Sequence, residues 1–171
     1  PEEEEREVSL KSNLEVLLRP ARATDAGGLQ DIFYNSSTED IYTRFFNRLR
    51  SLSVDKAEHL CNVDYENEMA FVAVAGNREE ERVVGTACYF VEPATNLAEV
   101  AYMIRPEWQG TGLGSALHQR MTEYAKSKGV AGFTADVLSA NSKMLAVFQK
   151  GNKVTLKQHL GMEAYEVKML F

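Results

Sequence analysis

Cysteine is scarce in this chain, and its two copies, Cys61 and Cys88, lie far apart with no C-x-x-C spacing. A disulfide framework and a zinc ribbon are excluded on that count, and the thiols read as buried, reduced groups of a cytoplasmic protein. Histidine is as sparse: His59, His118 and His159 show no ligand spacing, so no metal site is expected, and His118 is assigned to the exposed side of a helix. No apolar run approaches the roughly 20 residues that a membrane-crossing helix requires. An excess of basic charge is also missing, since 19 Lys and Arg face 25 Asp and Glu for a net charge of −6, and no basic patch argues for nucleic acid. Much of the acidity sits in Pro1-Glu2-Glu3-Glu4-Glu5-Arg6-Glu7. Residues 1–12 are accordingly read as a solvated, disordered tail or linker and 13–171 as the folded domain. A chain that begins at Pro1 is compatible with a removed initiator Met or with one domain of a larger protein.

What is present is ample apolar material, 44% of 171 residues, enough for one domain with a real core and too little chain for two. Residues 14–19 read as a first strand, and Thr24-Asp25 precedes a helix over 26–34. Ser37, three residues before Asp40, has the form of a capping box. It opens a helix with Ile41, Phe45, Leu49 and Leu52 on one face, and a shorter helix follows over 53–62. Strands over 69–75, 82–92 and 97–104 are separated by polar turns at hairpin-like spacing. Leu113, Leu117, Met121, Tyr124 and Ala125 form the stripe of a helix that stops at Lys128-Gly129. A strand over 133–138, a helix over 141–150 and strands over 154–159 and 165–171 complete the chain.

Between the strand at 97–104 and the long helix lies Arg105-Pro106-Glu107-Trp108-Gln109-Gly110-Thr111-Gly112-Leu113-Gly114-Ser115. A chain that leaves a strand and opens a helix within a few residues exposes unpaired N–H groups at the positive end of the helix dipole, which suits a diphosphate. Two familiar phosphate motifs fail here. A P-loop needs Lys directly after its last Gly, and Leu113-Gly114-Ser115 has none; a dinucleotide fingerprint would need Gly in place of Ser115.

The string Gln109-Gly110-Thr111-Gly112-Leu113-Gly114 does resemble motif A of the GNAT superfamily of acyl-CoA-dependent N-acyltransferases, Q-x-x-G-x-G, and Asn141-Ser142-Lys143-Met144 through Phe148 resembles its motif B. The element order β-α-α-β-β-β-[Gly loop]-α-β-α-β-β matches the GNAT order over nearly the whole chain. The resemblance implies an α/β (α+β) fold: a mixed, mostly antiparallel twisted sheet of about seven strands, splayed at the centre and flanked by about four helices. It implies acetyl-CoA (coenzyme A) as co-substrate and no metal. The diphosphate would be held by Gln109, Gly110, Thr111, Gly112, Leu113, Gly114 and Ser115. The backbone of Met103 and Ile104 would lie along the pantetheine arm, with Asn141 near the coenzyme.

Attack by an amine requires a base, because a lysine is mostly ammonium near neutral pH. Glu99 interrupts an apolar strand on the same alternating face as Ala101 and Met103, and is the candidate; the plain alternative is a solvent-facing strand carboxylate. Glu68, Glu92 and Asp136 stand in reserve. Where many family members carry a Tyr as acid for the departing thiolate, this chain has Phe148, which donates no proton. Tyr102, Tyr124 or water are left for that role. Ala98-Glu99-Val100-Ala101-Tyr102 with Trp108-Gln109-Gly110 resembles the GNAT domains of bacterial protein lysine acetyltransferases that modify acyl-CoA synthetases, which place their catalytic Glu at this position. The acceptor is therefore expected to be a primary amine, a lysine of an acyl-CoA synthetase first, with a small amine or a non-catalytic acyl-CoA sensor as alternatives.

Overall fold

Runs of alternating or continuous apolar residues put the middle of this chain into strands, and the most apolar of them sit at the centre of the sheet. The computed structural model describes residues 2–35, 54–76, 80–138, 142–149, 153–158 and 164–171. Its strands are β1 (Arg6–Ser9), β2 (Glu15–Pro20), β3 (Glu68–Ala75), β4 (Arg82–Glu92), β5 (Leu97–Ile104), β6 (Gly132–Leu138), β7 (Lys153–Gln158) and β8 (Ala164–Leu170). They form one sheet in the order β1-β2-β3-β4-β5-β6-β8-β7. Every neighbouring pair is antiparallel except β5 and β6. β3 buries six consecutive residues, as a strand covered on both faces must.

The two faces carry two cores. On one, α1 (Ala26–Asn35) and α2 (Val54–Cys61) pack Leu29, Ile32, Ala57 and Cys61 onto Val72, Cys88, Ala101 and Met103. On the other, α3 (Leu113–Ser127) and α4 (Ser142–Gln149) pack Leu117, Met121, Met144 and Phe148 onto Phe71, Val100, Tyr102 and Phe133. Burying a side chain of this size stabilises by about 1.5–3 kcal/mol, so the alternation along β5 fixes which residues meet which helices. Start and stop signals act as their sequence suggests. Asp25 accepts the Arg22 N–H at 2.6 Å ahead of α1 and pairs doubly with buried Arg19, and Gly129 takes φ +77 after α3. The helix expected around Ile41–Leu52 lies outside the described residues.

The sheet has one strand more than the seven expected, and it comes from the acidic head. β1 pairs with β2 from Arg6↔Leu18 to Ser9↔Glu15. Glu4 pairs with Arg120 of α3, and Glu5 bonds Arg22 at 2.8 Å. The run of Glu that suggested a solvated tail is thus partly consumed in ion pairs, one of them to a buried arginine.

Candidate functional site

The β5–β6 seam is short. Parallel pairing covers only Leu97↔Gly132, Ala98↔Phe133 and Glu99↔Thr134, after which the strands part, leaving the β5 edge from Val100 to Ile104 without a ladder partner in β6. An open edge at the centre of a sheet is a slot into which an extended chain can add as a strand. Near the far end of β5, one residue pairing shifts at Ala73/Val74 opposite β4, and the Arg105 N–H bonds the Val84 carbonyl at 2.9 Å. Arg105 also bonds the Val83 carbonyl through Nε at 2.7 Å and pairs with Asp31 of α1. The strand end that launches the glycine loop is therefore firmly held.

A turn at Pro106–Trp108 leads into the loop, where the Thr111 hydroxyl donates to the Trp108 carbonyl at 2.6 Å. Gly110 and Gly112 take φ +75 and +90, a left-handed conformation that L side chains rarely adopt. Gly112 is the N-cap of α3 and brings no side chain to cap it. The first intrahelical bond runs from the Ala116 N–H to the Gly112 carbonyl at 3.1 Å. The N–H groups of Gly114 and Ser115 consequently have no acceptor within the helix, as the first turn of any helix dictates. At Gly114 a Cβ would stand 3.3 Å from Ile104 Cδ1, so the lack of a side chain lets the helix start close to the strand. The Gln109 Nε2 is buried without a partner, a donor in want of an acceptor.

These groups line one cavity of about 320 Å³: Ile104, Gln109, Gly110, Gly112, Gly114 and Ser115, walled by Met144 and Val147 of α4. Trp108 lines it as well while packing on the core. Of the residues expected at the coenzyme, Thr111 and Leu113 shape the loop from behind, Leu113 being buried in the core. Met103 is buried on the α1–α2 side, so only its backbone is at hand for the seam. Asn141 lies outside the described residues. Lys11 also lines the cavity, and nothing in its local sequence announces that.

Glu99 stands at the closed end of the seam, on the face of Ala101 and Met103. It lines a second cavity, of about 460 Å³, with Phe90, Thr134, Glu166 and Lys168. The pairing Glu68↔Phe90↔Glu99↔Thr134↔Lys168 runs straight across four strand junctions, so all five share that face. Among the reserve carboxylates, Glu68 bonds His59 at 2.9 Å, Glu92 sits at the β4–β5 turn, and Asp136 pairs with Glu166 along the β6–β8 ladder. Neither thiol is fit to be a nucleophile. Burial, reinforced by the Glu99 and Glu68 charges, pushes Cys88 far above the ordinary thiol range, and burial pushes Cys61 up to about 11.

His118 is a correction: it is buried, 5% exposed, rather than on the surface of α3. Its Nδ1 shares a hydrogen bond of 2.8 Å with the Tyr102 hydroxyl, and its ring meets Phe148 edge-on at 5.2 Å. Desolvation lowers its pKa to about 4, so the ring is neutral near pH 7. Tyr102 is fully buried with its hydroxyl so engaged, and Tyr124 packs on Phe71 and Tyr89.

A central slot with unpaired donors at its open end and a carboxylate at its closed end leaves room for an extended ligand. The comparisons give the class of protein: residues 35–152 match the Acetyltransferase (GNAT) family, and the chain belongs to it. It is 29% identical over 121 residues to "Acetyltransferase PA5475" of Pseudomonas aeruginosa, covering 71% of this chain and 65% of that one. It is 32% identical over 133 residues to "Acetyltransferase Pat" of Mycolicibacterium smegmatis, covering 77% of this chain and 39% of that one. The chain thus spans under two thirds of the length of both relatives. Among solved structures, the GNAT domain of S. lividans PAT superposes with a TM-score of 0.82 at 27% identity, over 100% of this chain and 99% of that one. The fold is the GNAT fold, and the loop's orphan donors fit acetyl-CoA as co-substrate.

Proposed function

We propose that this domain transfers the acetyl group of acetyl-CoA to a protein lysine by direct attack in a ternary complex. The observation that carries the reading is the seam: a three-pair ladder that opens between a cradle of unpaired N–H groups and Glu99. Glu99 lies five residues of extended strand from Ile104, about 16 Å, the distance an extended pantetheine arm bridges between diphosphate and thioester.

In this reading the N–H groups of Gly110, Gly112, Gly114 and Ser115, with Gln109 Nε2, hold the diphosphate, and Leu113, whose N–H donates to the Thr111 hydroxyl, anchors the helix start in the core. Thr111 fixes the loop that presents them. The backbone of Met103 and Ile104 runs along the pantetheine arm, and a strand N–H toward the Glu99 end of the open edge polarises the thioester carbonyl. The likeness of 141–148 to motif B assigns Asn141 to the coenzyme. Glu99 accepts the proton of the incoming amine through water, and the thiolate departs without a dedicated acid, since Phe148 is buried and donates nothing. A direct transfer agrees with two thiols held protonated by burial.

The lysine acceptor rests on the likeness of Ala98–Tyr102 and the glycine loop to bacterial protein lysine acetyltransferases. The test is transfer of labelled acetyl from acetyl-CoA to a purified acyl-CoA synthetase, run beside a panel of free amines. Label on a synthetase lysine establishes the reading. Label only on a polyamine, aminoglycoside or amino acid replaces it with a small-amine acetyltransferase, and binding of acetyl-CoA with no label anywhere makes the domain a sensor.

A further inference from the structure

The glycine loop lacks the lysine that a P-loop carries after its last glycine, and the fold brings one from about a hundred residues upstream. We propose that Lys11 is a ligand of the co-substrate's diphosphate, an assignment that rests on the glycine-loop cavity being the acetyl-CoA site. Lys11 is the one charged residue among the described residues lining that cavity. Its backbone N–H bonds the Thr111 carbonyl at 3.0 Å, which docks the segment directly on the loop. Its Cγ lies 3.8 Å from where a Cβ on Gly112 would stand, in ordinary contact range of the residue that caps α3.

The placement is built by the chain around it. The Leu10 N–H bonds the Leu14 carbonyl at 2.6 Å, and Ser12 and Asn13 take φ +61 and +58, so the chain reverses at this point and turns residue 11 toward the loop. β1 and β2, paired with each other, hold the segment on either side, and the Glu4–Arg120 pair ties down the chain before β1. The loop's own donors are neutral amides and the Gln109 amide; a diphosphate carries full negative charge, and an ammonium with three rotatable donors on a flexible stem completes the neutralisation. The side chain is exposed without ligand, so its charge stays hydrated until a phosphate oxygen replaces water.

The test is titration calorimetry of acetyl-CoA and of its 3′-dephospho form against the wild type, Lys11→Gln and Lys11→Arg, at low and moderate salt, with thermal melting as a check on folding. The glutamine variant should melt like the wild type and bind acetyl-CoA about tenfold more weakly, the size of one charge-assisted hydrogen bond. Its binding should depend less on salt, and the arginine variant should recover most of the affinity. The same penalty should appear with the dephospho form, which keeps the diphosphate. An unchanged Kd for Lys11→Gln overturns the proposal, as does a penalty that disappears with the dephospho form. A wild type that fails to bind acetyl-CoA would sink the co-substrate reading itself, which is a separate result.

Discussion

Gly112 meets two demands at one position: a φ of +90 and a helix start left open for a ligand. Replacing it with Asp strains the backbone by roughly 1–2 kcal/mol and sets a carboxylate where the proposed reading puts a diphosphate. Gly112→Asp should therefore abolish measurable acetyl-CoA binding in calorimetry while the protein still melts cooperatively. Glu99→Gln should show the opposite split. Loss of a general base lowers kcat by about 10²-fold or more, and the Kd for acetyl-CoA should stay within about twofold of the wild type. Both residues were visible as candidates because each breaks a pattern, glycines clustered at a strand-to-helix junction and an acid inside an apolar strand. His118 shows the converse. It lies three residues before Met121 and seven before Ala125, so helical spacing places it beside the buried stripe, and the polar ring hid what the spacing disclosed.

At the scale of elements, α3 carries a pH dependence through that histidine. The unfolded chain protonates His118 near the ordinary value of about 6.5, the folded one near 4. A depressed folded pKa means stability is full above about pH 6.5 and falls as the pH drops toward 4, by roughly 2 kcal/mol at pH 5. The melting temperature should fall by about 4–8 °C between pH 7 and 5, and His118→Leu should flatten that slope. The strands β4 and β5 coincide with their sequence readings because two-sided burial writes itself as nearly continuous apolar runs. β1 left no such trace. Its residues are exposed except for half-buried Val8, so its strand state is set by the β2 edge it pairs with.

For the whole molecule, the head's attachment is a feature local pattern could not supply, since one of its anchors, Arg120, lies more than a hundred residues away. Arg120 is 6% exposed, lies over the Phe71 ring at 4.9 Å, and has Glu4 as its acidic partner. Glu4→Ala would leave that guanidinium buried and uncompensated. With Glu4 itself partly exposed, the cost should be about 1 kcal/mol, seen as a drop in melting temperature of about 2–4 °C, and Glu4→Gln should restore part of it. The candidate site was legible as far as its chemistry is local: the loop, the strand carboxylate, the missing tyrosine. The place of Lys11 beside the loop arises only when distant segments meet.

The three-pair seam between β5 and β6 also sets the mechanics of the domain. It divides one sheet into a five-strand slab and a three-strand slab joined at one end, like a book bound along part of its spine. A co-substrate that adds its arm to the open edge is then a temporary strand as much as a reactant. In the proposed reading the sheet is most nearly continuous while the acyl donor is bound.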